Sequence, residues 1–243
     1  MDTLIVKRYL LVLIVLLCSM PAAFSAVPWF ESDGREKIIS RPLPPEYRIH
    51  PDGSVTLRIC FNWSCSSRET LRFTAEDFSV VTQQMAYCDG EALYDRLQRI
   101  RIGIWQMELL ARKYQPLLTN DRAIIDRDQD LHGRTDCVDN ASNTTTFLHI
   151  LQDLSALPGW SVRPPQVRDL FLFQVHWTAV VADQKSGKPW AVDSWYRPHG
   201  HLPFVMPLSD WQDRKKGWES PFDKLNPYPR FINELCETNE TGG

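Results

Sequence analysis

Three neighbouring stretches in the second half of the chain read TDCVDNASNTTTFLHILQDL (135–154), LFLFQVHWTAVVA (170–182) and PWAVDSWY (189–196). The first carries apolar residues at helical spacing and is followed by Pro158-Gly159, which predicts a helix from Asp136 to about Leu154. The other two are apolar and rich in β-branched residues, and the turn residues 185–188 separate them, which predicts an antiparallel hairpin. This order indicates an α+β fold with a central helix packed on an antiparallel β-sheet.

The first half of the chain adds elements of the same kinds. Val55, Leu57 and Ile59 alternate with polar residues behind the turn former at 51–53, which predicts a hairpin with one buried face. Residues 74–77 have the hydroxyl and acidic side chains of a helix start, so a helix is expected to about Tyr87. Apolar residues at helical spacing then predict a second helix within 90–114. The tail from residue 198 is rich in Pro and aromatic residues, and we expect it to wrap over the core.

The N-terminus has the pattern of a secretory signal peptide. Lys7-Arg8 precedes a run of about a dozen apolar residues, and small residues end at Ser25. That run is shorter than the roughly 20 residues of a membrane-spanning helix. We therefore expect a signal peptide at 1–25, a periplasmic or secreted mature protein, and no integral membrane span after cleavage.

The remaining 26–243 fits one domain, since its length lies within the usual range for a single hydrophobic core. We divide it into an N-terminal hairpin with helices (46–115), a core that carries the candidate site (130–197) and the wrapping tail (198–243). The net charge is −3, whereas nucleic-acid-binding proteins normally have a basic surplus, so no nucleic-acid partner is expected.

The chain has six cysteines, and Cys18 leaves with the signal peptide. Of the other five, Cys137 lies at the start of the predicted central helix. In an oxidising compartment an odd number predicts two disulfides and one free thiol. We assign Cys137 as the free thiol, and the remaining four, Cys60, Cys65, Cys88 and Cys236, can then pair in three ways.

Cys137 is also the best candidate nucleophile. The positive end of the helix dipole is expected to lower its pKa, and the backbone N–H groups of the first turn could stabilise an oxyanion. A nucleophilic thiol needs a base, and the base needs an orienting group. His176 and Asp193 lie on the two strands of the predicted hairpin, and a turn centred one residue before Ser186-Gly187 would place them diagonally on one face.

Metal sites are a weaker alternative. Asp126, Asp128 and Asp130 alternate as carboxylates of a Ca²⁺ loop can, but Gly133 is too late for an EF-hand and no Glu occupies the twelfth position. His199 and His201 could form a pair of Zn²⁺ ligands, although no third ligand is apparent. We therefore expect no firm metal site and no cofactor.

The order Cys, His and Asp on a helix and two adjacent strands resembles the transglutaminase-like superfamily of papain-type cysteine enzymes. TDCVDNASNTTTFLHIL, HWTAVV and WAVDSWY are similar to the three motif blocks of its bacterial cysteine-proteinase branch. Asp136 and Asp139 match the first block, whereas Thr135 replaces a usual Gly and Val138 an acidic residue. Since acidic residues beside the cysteine bind Ca²⁺ in some relatives, Asp136 is a further weak Ca²⁺ candidate.

This resemblance implies a papain-like fold and a catalytic triad of Cys137 as nucleophile, His176 as general base and Asp193 as its orienting group. The implied activity is acyl transfer through a thioester, most simply hydrolysis of a peptide or protein amide. Papain-like sites often take a second oxyanion donor from an upstream Gln or Trp, for which Gln106, Trp105 and Gln129 are the candidates. The polar residues after Cys137 could line the substrate side.

Two other functions stay open at the level of the sequence. The fold could serve as a catalytically inactive binding or assembly module of the cell envelope. The nine Trp residues and the aromatic tail could instead form the surface on which an envelope factor binds a partner.

Overall fold

Within residues 41–120, 132–171, 174–213 and 225–236, which the computed structural model describes, the chain forms four α-helices and three β-sheets. The strands are β1 (Tyr47–Ile49), β2 (Val55–Phe61), β3 (Ser67–Phe73), β4 (Thr119–Asn120), β5 (Arg134–Thr135), β6 (Trp160–Phe171), β7 (Gln174–Asp183), β8 (Pro189–Asp193) and β9 (Phe204–Pro207). The helices are α1 (Ala75–Met85), α2 (Leu93–Tyr114), α3 (Cys137–Asp153) and α4 (Leu208–Gln212). The protein is therefore a mixed α/β protein.

The two larger sheets are antiparallel throughout. One has the order β1-β2-β3, and the other has the order β6-β7-β8-β9. A short parallel pair, β4 with β5, leads into α3. The apolar run predicted as one strand at 170–182 belongs to two, since β6 ends at Phe171 and β7 begins at Gln174.

Helices α1 and α3 begin where the sequence predicts, and for the same reason. The Thr74 side chain accepts a hydrogen bond from the Asp77 N–H, while the Asp77 carboxylate accepts one from the Thr74 N–H. Asp136 and Asp139 form the same reciprocal capping box at α3. Each box satisfies backbone donors that a helix N-terminus leaves without partners.

Helix α3 is central, because it packs against the four-stranded sheet and against β2 of the other sheet. Phe147, Leu148 and Leu151 are buried in the main core with Ala179 and Val181 of β7. An antiparallel sheet with a buried helix on one face is the arrangement that the α+β prediction describes.

The polar residues of α3 are buried as well, and they hold the helix in place. The Asn143 amide accepts a hydrogen bond from the Cys60 N–H (2.7 Å) and donates one to the Cys60 carbonyl (2.8 Å), so it pairs with β2 as a neighbouring strand would. Thr144 lies 3.0 Å from the Ser194 hydroxyl, and Asn140 donates to Thr135. The suggestion that this polar run lines a substrate surface is therefore wrong, since it packs inside the protein.

The described part of the tail packs on the core. Val205 and Met206 of β9 and Trp211 of α4 are buried, and Leu235 of the last segment joins the main core. The fully buried Arg101 of α2 donates hydrogen bonds to the carbonyls of Pro203 (2.9 Å) and Pro227 (3.0 Å), which ties both tail segments to one helix.

The cysteines divide as predicted. Cys60 pairs with Cys65, Cys88 pairs with Cys236, and Cys137 is free. In the part of the chain that the structure describes, no helix is long and apolar enough to cross a membrane. The two disulfides are compatible with a secreted or periplasmic protein. The predicted signal peptide (1–25) lies outside the described residues.

A buried ion pair joins α2 to the end of β7 and gives a first testable expectation. Arg96 donates to Asp183 at 2.6 Å, and both side chains are almost completely buried. The Asp183→Asn variant should lower the free energy of unfolding by about 3 kcal/mol at pH 7, because it leaves a buried guanidinium without its counter-charge. Urea denaturation measures this loss, with Glu46→Gln, at exposed pairs with Arg58 and Arg68, as the control at about 1 kcal/mol or less.

The loss in Asp183→Asn should also depend on pH. Hydrogen bonds from Ser186, together with the Arg96 guanidinium, lower the pKa of Asp183 to about 2 in the folded protein. A carboxyl with a lowered folded pKa stabilises the protein above its unfolded pKa of about 4 and loses that contribution as the pH falls to 2. The difference between wild type and variant should therefore shrink from pH 4 downward, and a constant difference would contradict this account.

Candidate active site

Cys137 is the first residue of α3, and the residues around it fix its backbone. One oxygen of the Asp136 side chain accepts hydrogen bonds from the N–H groups of Val138 (3.0 Å) and Asp139 (2.9 Å). Within the described residues the Cys137 N–H donates no hydrogen bond, so it is the donor of the first turn that remains available.

His176 and Asp193 are joined by a hydrogen bond. The register of the β7–β8 hairpin pairs Ala179 with Val192, which places Asp193 diagonal to His176 on one face of the sheet, as the parity of the sequence allowed. The distance between His176 Nε2 and Asp193 Oδ2 is 2.7 Å, and both side chains are buried. Asp193 can thus fix the orientation of the imidazole ring.

The sulfur of Cys137 lies beside the backbone on both sides of His176. Its Sγ is 3.8 Å from the carbonyl oxygen of Val175, and the backbone N–H of Trp177 forms a hydrogen bond that favours the thiolate. The strand that carries the imidazole therefore also contacts the thiol. The structure brings all three predicted triad residues to one end of β7.

The prediction that the helix N-terminus lowers the pKa of Cys137 is wrong. Burial raises the pKa of this thiol to about 12, and the negative charge of Asp136 adds to the effect. The main cause is burial, and the cap adds to it, because the N–H groups of Val138 and Asp139 point at the Asp136 carboxylate rather than at the sulfur. The resting thiol is therefore protonated, and it needs a base to react at neutral pH.

Three aromatic rings surround the His176 imidazole. The ring centroids of Trp195, Tyr196 and Trp211 lie 5.0, 4.8 and 5.6 Å from it. Trp211 also donates from its indole N–H to Asp193 Oδ2 at 2.9 Å, the same oxygen that His176 contacts. The Trp195 backbone N–H donates to Asp193 Oδ1 (3.3 Å), so three donors hold the Asp193 carboxylate in place.

Arg168 holds this aromatic wall together. It lies opposite His176 in the β6–β7 register and donates to the Trp211 carbonyl (2.6 Å) and the Tyr196 hydroxyl (2.8 Å). Its guanidinium lies 4.6 Å from the centroid of the Trp211 ring. Reasoning from the sequence missed Arg168, Tyr196 and Trp211, and the alternation of β7 and β8 could have suggested only that residues near 195 adjoin His176.

Among the described residues, neither Trp105 nor Gln106 forms a hydrogen bond with Cys137, His176 or Asp193. The Trp105 indole donates to the Gly200 carbonyl at 2.7 Å, so that donor is already used. Gln106 lies next to it on α2, and no hydrogen bond between described residues joins it to Cys137. Gln129 lies outside the described residues.

The candidate metal ligands either take part in other contacts or lie outside the described residues. Asp136 uses one oxygen as the helix cap, and its other oxygen accepts the N–H of Ser64 at 3.1 Å, so this carboxylate serves the fold. His201 contacts the Tyr228 hydroxyl at 2.6 Å. His199 is buried, which lowers its pKa to about 3. Asp126, Asp128 and Asp130 lie outside the described residues.

One group with metal-ligand geometry occurs in the part of the chain that the structure describes: Cys60, Cys65 and Asp139. Its two sulfurs form a disulfide with each other, so they are not available as thiolate ligands. We therefore do not treat Cys60, Cys65 and Asp139 as a candidate metal site.

The second donor of Asp193 can be tested with a matched pair of variants. Trp211→Phe removes the indole N–H that contacts Asp193, whereas Trp190→Phe removes the N–H of another buried Trp that has no hydrogen-bond partner among the described residues. Both lose the same volume, so their difference isolates the hydrogen bond. We expect Trp211→Phe to be less stable than Trp190→Phe by about 2 kcal/mol in urea denaturation, as for a hydrogen bond to a charged group. Equal losses would show that the bond to Asp193 is unimportant.

No family model, no curated protein and no solved structure matches this chain. Nothing in these comparisons identifies a transglutaminase-like family, and no structural neighbour supports a papain-like fold. That resemblance stays a prediction from the three sequence blocks.

Proposed function

We propose that this chain is a secreted or periplasmic cysteine hydrolase of the transglutaminase-like type, which cleaves peptide or protein amides through a thioester on Cys137. The observation that carries the proposal is the buried 2.7 Å hydrogen bond between His176 and Asp193, on the strand whose backbone contacts the Cys137 sulfur. A Cys, a His and an oriented carboxylate are the parts that nucleophilic acyl transfer needs.

The roles of His176 and Asp193 follow from which of their atoms form the hydrogen bond between them. We assign the ring proton to Nε2 of His176, which donates a hydrogen bond to Asp193. The other nitrogen, Nδ1, is then the one that can take the thiol proton. The sulfur then attacks the amide carbon, and the resulting imidazolium gives its proton to the leaving amine. Water, activated by the same imidazole, next hydrolyses the thioester and releases the acid and the free thiol. Asp193 stays ionised and stabilises the imidazolium in both steps.

The protonated resting thiol fits this sequence of steps. Burial and the Asp136 charge keep the thiolate scarce at neutral pH, so attack requires proton transfer to His176 within the complex. The Cys137 N–H, which the cap leaves available, is the oxyanion donor that we assign to the tetrahedral intermediate. It replaces the upstream donors predicted from the sequence.

The proposal is tested by turnover and by trapping on the full chain with both disulfides intact. Wild type should hydrolyse a fluorescence-quenched denatured casein, and a peptidyl acyloxymethyl ketone should add its mass to the peptide that contains Cys137. Cys137→Ser should show neither result. Absence of turnover together with equal trapping rates in wild type and His176→Ala would overturn the proposal.

One observation favours a second candidate, an inactive binding module of the cell envelope. The Cys137 side chain is half-buried and the pKa of its thiol is raised, as for a structural cysteine. In that case the ketone should label Cys137 slowly, and the His176→Ala variant should label at the same rate. The trapping experiment therefore separates the two functions.

A further inference from the structure

The loop between β2 and β3 has an unusual backbone. Four consecutive residues, Asn62, Trp63, Ser64 and Cys65, have φ values of +61°, +64°, +56° and +56°. None is a glycine, so each pays the steric cost of the left-handed region, where non-glycine residues occur singly rather than in runs. The Cys60–Cys65 disulfide closes this loop, which we call the Cys60–Cys65 turn.

The hairpin itself does not require this conformation. Phe61 pairs with Ser67, which leaves five residues in the connection, and connections of that length are most often built around an ordinary type I turn. Backbone strain of this kind persists only where the surroundings over-determine it, and it clusters at functional sites. What the turn contacts is therefore informative.

The turn contacts the chain on both sides of the nucleophile. On the upstream side, the Asn62 N–H donates to the Arg134 carbonyl (2.6 Å), and the Asn62 side chain accepts from the Gly133 N–H (2.7 Å). These bonds fix the two residues that lead into the helix cap.

At the helix start, the turn holds both carboxylates of the capping box. The Ser64 N–H donates to Asp136 (3.1 Å), and the Cys65 N–H donates to Asp139 (2.6 Å). Both N–H groups face α3 because the backbone is left-handed. Asp136 and Asp139 in turn set the first turn of α3, where Cys137 lies between them.

We propose that the Cys60–Cys65 turn is the positioning element of the Cys137 nucleophile, a clamp that holds the half-buried thiol beside β7 and that releases it when the disulfide is opened. The inference rests on the proposed function for its consequence in catalysis, since a released thiol no longer meets His176 in the attacking geometry. Opening is a two-electron step, in which a dithiol reductant becomes a disulfide and its two protons and two electrons convert the S–S bond into two thiols.

The readout is the pH dependence of Cys137 alkylation, which a purely stabilising loop would not change. The titratable groups around the thiol are Asp136 and Asp139 from its own helix and His176, Asp193 and Tyr196 from the sheet and the segment after it. Release from the clamp moves the half-buried thiol away from these groups and further into water. Its titration should then approach the ordinary value of about 8.5.

The experiment follows iodoacetamide addition to Cys137 by mass spectrometry from pH 7 to 11, on the folded full chain. In wild type the rate should still be rising at pH 11. In C60A/C65A the midpoint should fall by at least one pH unit, so the rate at pH 8 should rise at least about tenfold, while casein turnover falls. The matched control C88A/C236A opens the other disulfide and should keep the wild-type profile.

A second pair of variants leaves both disulfides in place, in case C60A/C65A does not fold. Ser64→Pro removes the N–H that contacts Asp136 and cannot adopt a φ of +56°, whereas Ser64→Gly keeps the N–H and adopts that φ without steric cost. Ser64→Pro should shift the alkylation midpoint downward by at least one pH unit, and Ser64→Gly should not shift it.

The outcomes distinguish this proposal from the proposed function. A wild-type alkylation profile in folded C60A/C65A, or in folded Ser64→Pro, would overturn the clamp whatever the turnover shows. A shifted profile in a protein that never hydrolyses casein or reacts with the ketone would keep the clamp and reject the hydrolase.

Discussion

His176→Ala is expected to lower casein turnover by about 10³- to 10⁴-fold, the largest effect of any substitution at the site that leaves Cys137 in place. The expectation follows from the state of the nucleophile. Because burial raises the pKa of Cys137 to about 12, almost no thiolate exists at pH 7 without a base that takes the proton during attack. A triad member that acts as base and then as acid affects both halves of the reaction.

The matched control is His149→Ala. His149 lies on the same helix as Cys137, twelve residues further along, which is about 18 Å at the rise of an α-helix. It is too far from the sulfur to exchange a proton with it, so turnover should stay within about twofold of wild type. Comparable losses in the two variants would mean that stability, not proton transfer, limits activity, and would remove His176 from the mechanism.

The places of Cys137, His176 and Asp193 in the fold could be predicted because they follow from short-range rules. A capping residue before Cys137 places it at a helix start, and strand alternation puts His176 and Asp193 on one face once the turn residues are known. These rules need only local sequence. The division of the cysteines was predictable by counting, although their pairing was not, since Cys88 and Cys236 meet only in the folded chain.

The parts that escaped prediction depend on contacts between distant segments. Trp211 reaches Asp193 from a tail that has no clear periodicity. The pKa shift at Cys137 comes mainly from burial, to which the Asp136 charge adds, and a helix dipole alone predicts the opposite direction. The left-handed run at residues 62–65 also has no sequence signal, since none of the four is a glycine.

The largest loss of stability is expected from C88A/C236A. These cysteines are separated by 148 residues, and the chain-entropy relation gives a cost of about 5 kcal/mol for removing a cross-link over that length. The Cys60–Cys65 bond spans a separation of only 5 residues, for which the same relation gives about 2 kcal/mol. Urea denaturation of both double variants at pH 7 measures the difference, and equal losses would contradict the entropic account.

The variant expected to be less stable, C88A/C236A, is not the one in which we expect faster alkylation of Cys137. If Cys137 became reactive only through global unfolding, C88A/C236A, the less stable variant, would be alkylated faster. If the turn beside α3 positions the thiol, C60A/C65A is alkylated faster although it is the more stable of the two, because the Ser64 and Cys65 N–H groups no longer hold the capping box. Stability and thiol reactivity measured on the same two proteins therefore decide whether the short disulfide acts through the fold as a whole or through the start of one helix.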